Sequence, residues 1–173
     1  MHPRRPLLLA LGLISAGCVE AQIEAFPIAP HRPQDVPMEG ARLSEAVTEY
    51  ISLEGLDLIN GRGLGQIRVT DWTDVYRIEG GDPPLAECPA TASDEGEPLY
   101  RARYRFDISS RTGIRSLHVL AHWQVAQGVS LAGQTNWVDC RSTGAFERRT
   151  QDRIATRARM MSRGIGTAAE ATD

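Results

Sequence analysis

The clearest pattern in the chain is an alternation of apolar and polar residues from Leu99 to Ser109. Its apolar positions are Tyr100, Ala102, Tyr104, Phe106 and Ile108. A period of two residues predicts a β-strand with one buried face and one polar face. A second alternating stretch, Ile114 to Gln127, follows a turn at residues 110–113. The two stretches therefore predict a long antiparallel hairpin.

Two weaker patterns predict strands on either side of this hairpin. Residues 66–79 alternate, but their phase changes near Thr70 and Asp71, which predicts a bulge that keeps Ile67, Val69 and Trp72 directed inward. Residues 134–141 form a short last strand. Residues 80–98 between them contain glycines, prolines and Cys88, and they predict a loop.

Helical periodicity precedes and follows the strands. Residues 41–53 carry an apolar stripe that ends near Gly55, a typical C-terminal stop. The stripe consists of Leu43, Ala46, Val47, Tyr50 and Ile51. Residues 144–163 predict a second helix, with Ser142 or Thr143 as its N-cap.

The order of these elements is helix, four strands, helix. It predicts an α+β domain over residues 41–163, in which a four-stranded antiparallel sheet is flanked by an N-terminal and a C-terminal helix as a two-layer sandwich. The composition of residues 164–173 is typical of a disordered tail.

The first eighteen residues have the organisation of a secretory signal. Arg4 and Arg5 precede the apolar run 7–14, and small residues lead to Cys18. Eight residues of helix span about 12 Å, which is too short to cross a bilayer. This leader resembles that of bacterial lipoprotein precursors, whose lipobox ends in a small residue before a cysteine. It departs from their usual pattern at Ser15, where leucine is common.

The resemblance implies that residues 1–17 are a signal peptide and that cleavage precedes Cys18. It also implies that the Cys18 thiol carries a diacylglyceryl group and that the new amino group is acylated. Val19 follows in place of the aspartate that commonly retains lipoproteins in the inner membrane, so the resemblance points to the outer membrane, facing the periplasm. An ordinary secretory leader cut near Ala16 or later, and a twin-arginine leader, are the alternatives.

Residues 18–40 contain Pro27, Pro30, Pro33 and Pro37 with little hydrophobic periodicity. This composition predicts an extended, polyproline-like tether between the lipidated N-terminus and the domain.

The three cysteines divide into one and two. If Cys18 is lipidated, Cys88 and Cys140 remain for an oxidising compartment, and we expect them to form a disulfide. Two buried free thiols are the alternative.

The net charge of −3 gives no electrostatic footprint for nucleic acid. Arg101, Arg103 and Arg105 line the polar face of the clearest strand, and they are a candidate anion-binding or partner surface or, alternatively, a solvated face. His118 and His122 share one side of a strand about 13 Å apart, too far to share a metal ion, so we expect two solvent-facing histidines. We expect no metal site, and no cofactor other than the covalent lipid.

Motifs for hydrolytic chemistry, such as Gly-x-Ser-x-Gly and His-Glu-x-x-His, do not occur in the sequence. We expect Trp72, Trp123 and Trp137 to fill the core, with a sugar or lipid pocket as the alternative. Together these features favour a membrane-anchored envelope lipoprotein whose non-catalytic domain binds another envelope component, most simply an envelope protein. The alternative is a small-ligand or lipid-binding periplasmic domain with a pocket between the C-terminal helix and the sheet; a secreted enzyme is a third possibility.

Overall fold

The computed structural model describes residues 26–27, 30–37, 40–59, 66–75, 84–90, 98–111, 114–129 and 133–164. The predicted signal peptide, Cys18 and residues 165–173 of the predicted tail lie outside this part of the chain. In chain order the elements are β1 (Gln34–Val36), α1 (Gly40–Leu53), β2 (Ile67–Val69), β3 (Thr73–Val75), β4 (Ala86–Glu87), β5 (Tyr100–Arg111), β6 (Ile114–Val129), β7 (Thr135–Ser142) and α2 (Ala145–Ser162).

The predicted hairpin is the centre of the sheet. β5 and β6 pair antiparallel from Tyr100 opposite Val125 to Arg111 opposite Ile114. All five apolar positions of β5 are buried, and they face the two helices together with the alternate residues of β6. The prediction of a hairpin with one apolar face is confirmed.

The other strands extend the sheet on both sides of this hairpin. β2 and β3 pair with β5, β7 and β1 pair with β6, and β4 pairs with β7, all of them antiparallel. The class is therefore α+β with an antiparallel sheet and two helices, as predicted. The sheet has seven strands rather than the predicted four, because one predicted strand is divided in two and short strands form within the predicted loop and tether.

The division of the predicted strand 66–79 occurs at a bulge. Val69 pairs with Arg105 and Thr73 with Ala102, so four residue steps on one strand correspond to three on the other. Thr70 is fully buried at this point, and its Oγ1 accepts a hydrogen bond from the Tyr104 N–H. The predicted bulge is confirmed.

The bulge orients the side chains differently from the prediction. Arg68 lies opposite Phe106 and reaches Ser44 of α1, 2.8 Å away, so Arg68 lies on the helix side. Ile67 and Val69 are therefore on the polar side of the sheet, and their predicted inward direction is wrong.

β1 lies within the predicted tether. β6 has 16 residues and β7 only 8, so half of one edge of β6 is not covered by β7. Residues 34–36 pair with this part of β6, and Val36 is fully buried. Unpaired backbone groups at a sheet edge are strong hydrogen-bonding sites, which explains why a stretch without periodicity joins the sheet here.

The helices cover the apolar face of the sheet. Every residue of the predicted α1 stripe is buried, and Gly55 has the left-handed φ of 64° expected of a C-terminal stop. At the start of α2, the hydroxyls of Ser142 and Thr143 accept hydrogen bonds from the N–H groups of Gly144 and Ala145. Both predicted capping residues therefore satisfy backbone donors next to the helix, although the N-cap position is Gly144.

Aromatic rings fill the space between the sheet and α2. Phe146 stacks on Tyr104 with ring centroids 4.7 Å apart and meets the edge of Trp123 at 5.4 Å. Across the helix layer, Arg157 of α2 binds Glu49 of α1 through two hydrogen bonds. Within the described residues, neither helix is both long and apolar enough to cross a membrane.

Candidate functional site

The polar face of the sheet, opposite the helices, carries the residues singled out by the sequence. Antiparallel pairing places Arg101 opposite Gln124, and Arg103 opposite His122. Gln124 in turn lies opposite Asp139 of β7. Because residues opposite one another in a sheet share a face, these five side chains form one surface.

Arginines and aromatic rings alternate across this surface. The Arg101 guanidinium lies 4.3 Å from the ring centroid of Trp72 and 4.2 Å from that of Trp137. The Arg103 guanidinium lies 4.8 Å from Trp72 and 5.1 Å from Phe26. These distances are typical of cation–π contacts. We name the row Trp137, Arg101, Trp72, Arg103 and Phe26 the arginine–aromatic ladder.

The ladder corrects the prediction for the tryptophans. Trp123 is 1% exposed and lies in the core, as predicted. Trp72 and Trp137 are half-buried on the opposite face of the sheet. For Trp137 the signal was present in the sequence, since it alternates with Val138 and the buried Cys140. For Trp72 the face depends on the bulge.

The three predicted arginines have different surroundings. Arg103 is only 5% exposed, whereas Arg101 is half-buried between its two tryptophans. Arg105 is held by Asp107, whose Oδ1 lies 2.7 Å from Nε. Arg101 is therefore the ladder arginine that is partly open to solvent, and it lies between two flat aromatic rings.

Asp139 connects β6 and β7 at the margin of the ladder. Its Oδ1 lies 2.8 Å from Nε2 of His122 and accepts a hydrogen bond from Gln124 at 2.7 Å. Burial raises the pKa of Asp139, but the hydrogen bonds from Gln124 and His122 outweigh this effect, and the net pKa is lowered. His122 also packs against the Trp72 ring and is only 7% exposed, so the prediction that it faces solvent is wrong.

A second polar cluster fills the edge of β6 between β1 and β7. Oε1 of Gln151 accepts a hydrogen bond from the Val119 N–H at 3.1 Å and lies 2.7 Å from Nε2 of His31. The rings of His31 and His118 are 5.1 Å apart. This cluster attaches the segment that precedes β1 to both the sheet and α2.

Glu147 is the acidic member of this cluster and is 1% exposed. The Ser142 hydroxyl donates a hydrogen bond to its Oε1. Burial raises the pKa of Glu147, and hydrogen bonding, first of all from Ser142, only partly offsets this effect. The pKa of His118 is lowered, first by burial and then by the proximity of His31.

The two remaining cysteines meet at the far edge of the sheet. The sulfurs of Cys88 and Cys140 lie at disulfide distance, 2.08 Å apart, across a sequence separation of 52 residues. Cys140 is buried in β7, next to the short strand β4. The two cysteines predicted to pair therefore lie at disulfide distance in the fold, and the oxidised link itself stays a prediction.

Within the described part of the chain, no group of three or more His, Cys, Asp or Glu side chains is placed to hold a metal ion. His118 and His122 contact different partners, His31 and Asp139 respectively. Cys18 lies outside the described residues, so its lipidation stays a prediction.

Comparison with protein-family models finds no match to this chain, and comparison with curated proteins finds none either.

Proposed function

We propose that the protein is a lipid-anchored bacterial envelope protein whose non-catalytic domain binds another envelope component through the arginine–aromatic ladder. In this proposal Cys18 carries the lipid, and the domain faces the periplasm from the outer membrane. The lipobox-like leader supports the anchor, and the pairing of Cys88 with Cys140 is consistent with an oxidising compartment.

The observation that carries the proposal is the composition of the ladder. Trp and Arg are among the residues most enriched at the energetic centres of protein interfaces, and Trp72, Arg101 and Trp137 lie side by side on the face of the sheet opposite the helices. Each ring is stacked on Arg101, so little side-chain entropy is left to lose on binding.

The packing between sheet and helices favours this proposal over a small-ligand binder. A ligand pocket between α2 and the sheet would need about 300 Å³ or more. Tyr104, Trp123 and Phe146 occupy that space in mutual ring contact. Between α1 and α2 a groove of about 170 Å³ lies beside Tyr50 and Ile154, smaller than typical ligand sites.

The proposed contact is tested by in vivo photocrosslinking. We expect a photoreactive amino acid at Trp137 to form a discrete crosslinked product with an envelope component, and the same amino acid at Met160, exposed on α2, to form none. We also expect the product at position 137 to be lost in an Arg101→Ala background. Equal labelling at both positions would contradict the proposal.

The anchor is tested separately by Cys18→Ser. We expect the wild-type protein to fractionate with membranes and to carry the mass of a diacylglyceryl group and an acyl chain. The variant should lose both properties, while its domain keeps the wild-type circular dichroism spectrum. A mature protein that begins after Cys18 would refute the anchor.

A further inference from the structure

The segment that precedes α1 has the composition of a tether, yet it is attached to the domain. We name residues 26–27 and 30–36 the strap. Its prolines are typical of an extended linker, but its last three residues pair with β6 as strand β1. Val36 is fully buried, whereas the rest of the strap is exposed or half-buried. Little apolar area therefore holds the strap, and its attachment depends largely on polar contacts.

The middle of the strap is fastened to α2 through His31. Nε2 of His31 lies 2.7 Å from Oε1 of Gln151, and Nε2 of Gln151 donates a hydrogen bond to the carbonyl of Arg32 at 3.4 Å. The strap also packs closely on the start of the helix, since a Cβ at Gly144 would lie 2.9 Å from Cγ of Pro30. A change in the charge of His31 therefore acts directly on this attachment.

His31 makes its contact with Gln151 through one ring nitrogen. Oε1 of Gln151 also accepts the Val119 N–H, so it is an acceptor and Nε2 of His31 is the donor. Nδ1 of His31 is buried and has no hydrogen-bond partner among the residues that the structure describes. Protonation of the ring would place a buried donor there without an acceptor, which is unfavourable.

The charges of α2 near this nitrogen do not favour a cation at acid pH. Nη1 of Arg148 and Nδ1 of His31 lie 2.8 Å and 3.6 Å from the position that a Cβ of Gly144 would take, so a charged His31 would lie close to a like charge. The carboxyl of Glu147 also interacts with His31, but burial raises its pKa. Glu147 therefore loses its negative charge at a higher pH than an ordinary glutamate does.

His118 of β6 faces the strap from the sheet. The ring centroids of His118 and His31 lie 5.1 Å apart, and Nε2 of His118 is buried without a hydrogen-bond partner in the described part of the chain. Burial first, and then the proximity of His31, lower the pKa of His118. Arg105 acts in the same direction, whereas Asp107 and hydrogen bonding with the His31 backbone act in the opposite direction. The net effect is a ring that binds a proton less tightly while the strap is attached.

We propose that the strap is an acid-sensitive fastening, which is attached to the domain while His31 and His118 are neutral and detaches when both rings are protonated. Detachment separates the two rings and uncovers His118. The contribution of His118 to attachment is therefore fully present above its ordinary pKa of 6.5 and is lost as the pH falls through its lowered pKa in the attached state.

Detachment lengthens the link between the domain and the proposed lipid at Cys18. With the strap attached, eight residues lead from Cys18 to Phe26, and they span at most about 28 Å. With the strap free, 22 residues lead from Cys18 to Gly40 at the start of α1, and they span at most about 77 Å. Detachment also removes Phe26 from Arg103, at one end of the ladder. The longer link rests on the proposed anchor, whereas the detachment itself does not.

Hydrogen–deuterium exchange read by mass spectrometry tests the proposal on the protein purified from its host. Protection of the amides of residues 34–36 is compared at about pH 7.5 and about pH 5.5, with labelling times scaled to the intrinsic exchange rate at each pH. We expect protection to fall about tenfold or more at the lower pH, and the protection of β5 to stay unchanged. Equal protection of residues 34–36 at the two pH values would overturn the proposal.

His31→Gln/His118→Phe removes both imidazoles but keeps an amide donor toward Gln151 and a ring at position 118. We expect this variant to keep the same protection of residues 34–36 at both pH values. Gln34→Ala is the matched control, because it removes the hydrogen bond from the strap to Asp152 and leaves both histidines in place. Its protection should be lower than that of the wild type at both pH values and should keep the pH dependence. A histidine variant with the wild-type pH dependence would overturn the proposal.

Two single variants of α2 test the titrating groups while both histidines are present. Arg148→Gln removes the cation beside His31, so we expect the midpoint of detachment to move to lower pH; an unchanged midpoint would count against the proposed role of His31. Glu147→Gln cannot titrate at position 147, and we expect detachment at acid pH to persist. Loss of the pH dependence in Glu147→Gln would assign the effect to the carboxyl and overturn the role of the histidines.

The outcomes separate this inference from the proposed function. A mature protein without lipid would overturn the anchor and the longer link, and would leave acid-dependent detachment standing. A lipidated protein whose strap stays protected at both pH values would overturn the detachment and leave the anchor and the ladder contact standing.

Discussion

The backbone N–H of Val119 donates a hydrogen bond to Oε1 of Gln151, so a helix side chain occupies the place of a neighbouring strand. On this edge of β6, the pairing with β1 ends at Leu117, and the pairing with β7 starts only at Trp123 of β6. Gln151 accepts its hydrogen bond from β6 in the gap between the two strands. α2 therefore completes the sheet as well as covering it.

Removing this acceptor should destabilise the domain. We expect Gln151→Ala to lower the free energy of unfolding by about 1–3 kcal/mol, because a buried N–H group is left without an acceptor. Urea denaturation followed by circular dichroism measures the change. Gln127→Ala, on a more exposed part of β6, is the matched control and should change stability by less than about 0.5 kcal/mol. Equal losses in the two variants would contradict the role of Gln151.

The buried carboxyl of Glu147 should make stability depend on pH. Its pKa in the folded protein is raised above the ordinary value of 4.5, mainly by burial. The folded state then holds the proton more tightly than the unfolded state, so this contribution is fully present below pH 4.5 and is lost as the pH rises through the raised folded pKa.

Glu147→Gln should remove this dependence. We expect the free energy of unfolding of the variant, relative to the wild type, to increase as the pH rises from about 4.5 and to level off above the folded pKa. Urea titrations at a series of pH values give the difference. A difference between the two proteins that is constant with pH would show that Glu147 titrates alike in the folded and unfolded states.

The link between Cys88 and Cys140 closes a long loop. For a separation of 52 residues, the chain-entropy model predicts a stabilisation of about 4 kcal/mol. We expect Cys88→Ala/Cys140→Ala to lose up to this amount in urea denaturation. Reductant should destabilise the wild type and leave the variant unchanged. Two free thiols in the unfolded, non-reduced wild type would contradict the link.

Arg101 should stabilise the ladder through both of its ring contacts. Cation–π contacts at partly exposed sites contribute about 0.5–1 kcal/mol each, so we expect Arg101→Ala to cost about 1–2 kcal/mol. Arg101→Lys should lose less stability than Arg101→Ala, because lysine keeps the positive charge, although it lacks the planar group. Arg149→Ala, on the exposed side of α2, is the control and should have little effect. A similar cost for Arg101→Ala and Arg149→Ala would show that the stacking adds no stability.

Local periodicity was sufficient for the hairpin and for the face of α1. In β5 the strict alternation identified the buried side correctly, because only one register puts all its apolar residues on the same side. In α1, a spacing of three and four residues identified the buried stripe from Leu43 to Ile51, because residues with this spacing lie on one face of a helix. The pairing of the two cysteines outside the leader followed from their number and from the expected compartment.

Other features depended on contacts between distant parts of the chain. Because β6 is longer than β7, part of its edge is left uncovered, and β1 pairs there although residues 34–36 have no periodicity of their own. The bulge at Thr70 places Trp72 on the face of the sheet that carries the ladder, and this bulge is set by pairing with Tyr104 on the neighbouring strand.

The sequence by itself determined the class of the fold, the buried faces of its main elements and the cysteine pair, because each is encoded by nearby residues or by counting. Only the tertiary structure decided the number of strands, the ladder from Trp137 to Phe26 and the role of Gln151 as an edge partner. The role of Gln151 and the addition of β1 depend on which backbone groups remain unpaired after the sheet has formed. The ladder and the division of one predicted strand depend on the cross-strand register and its bulge, which are also properties of the assembled sheet.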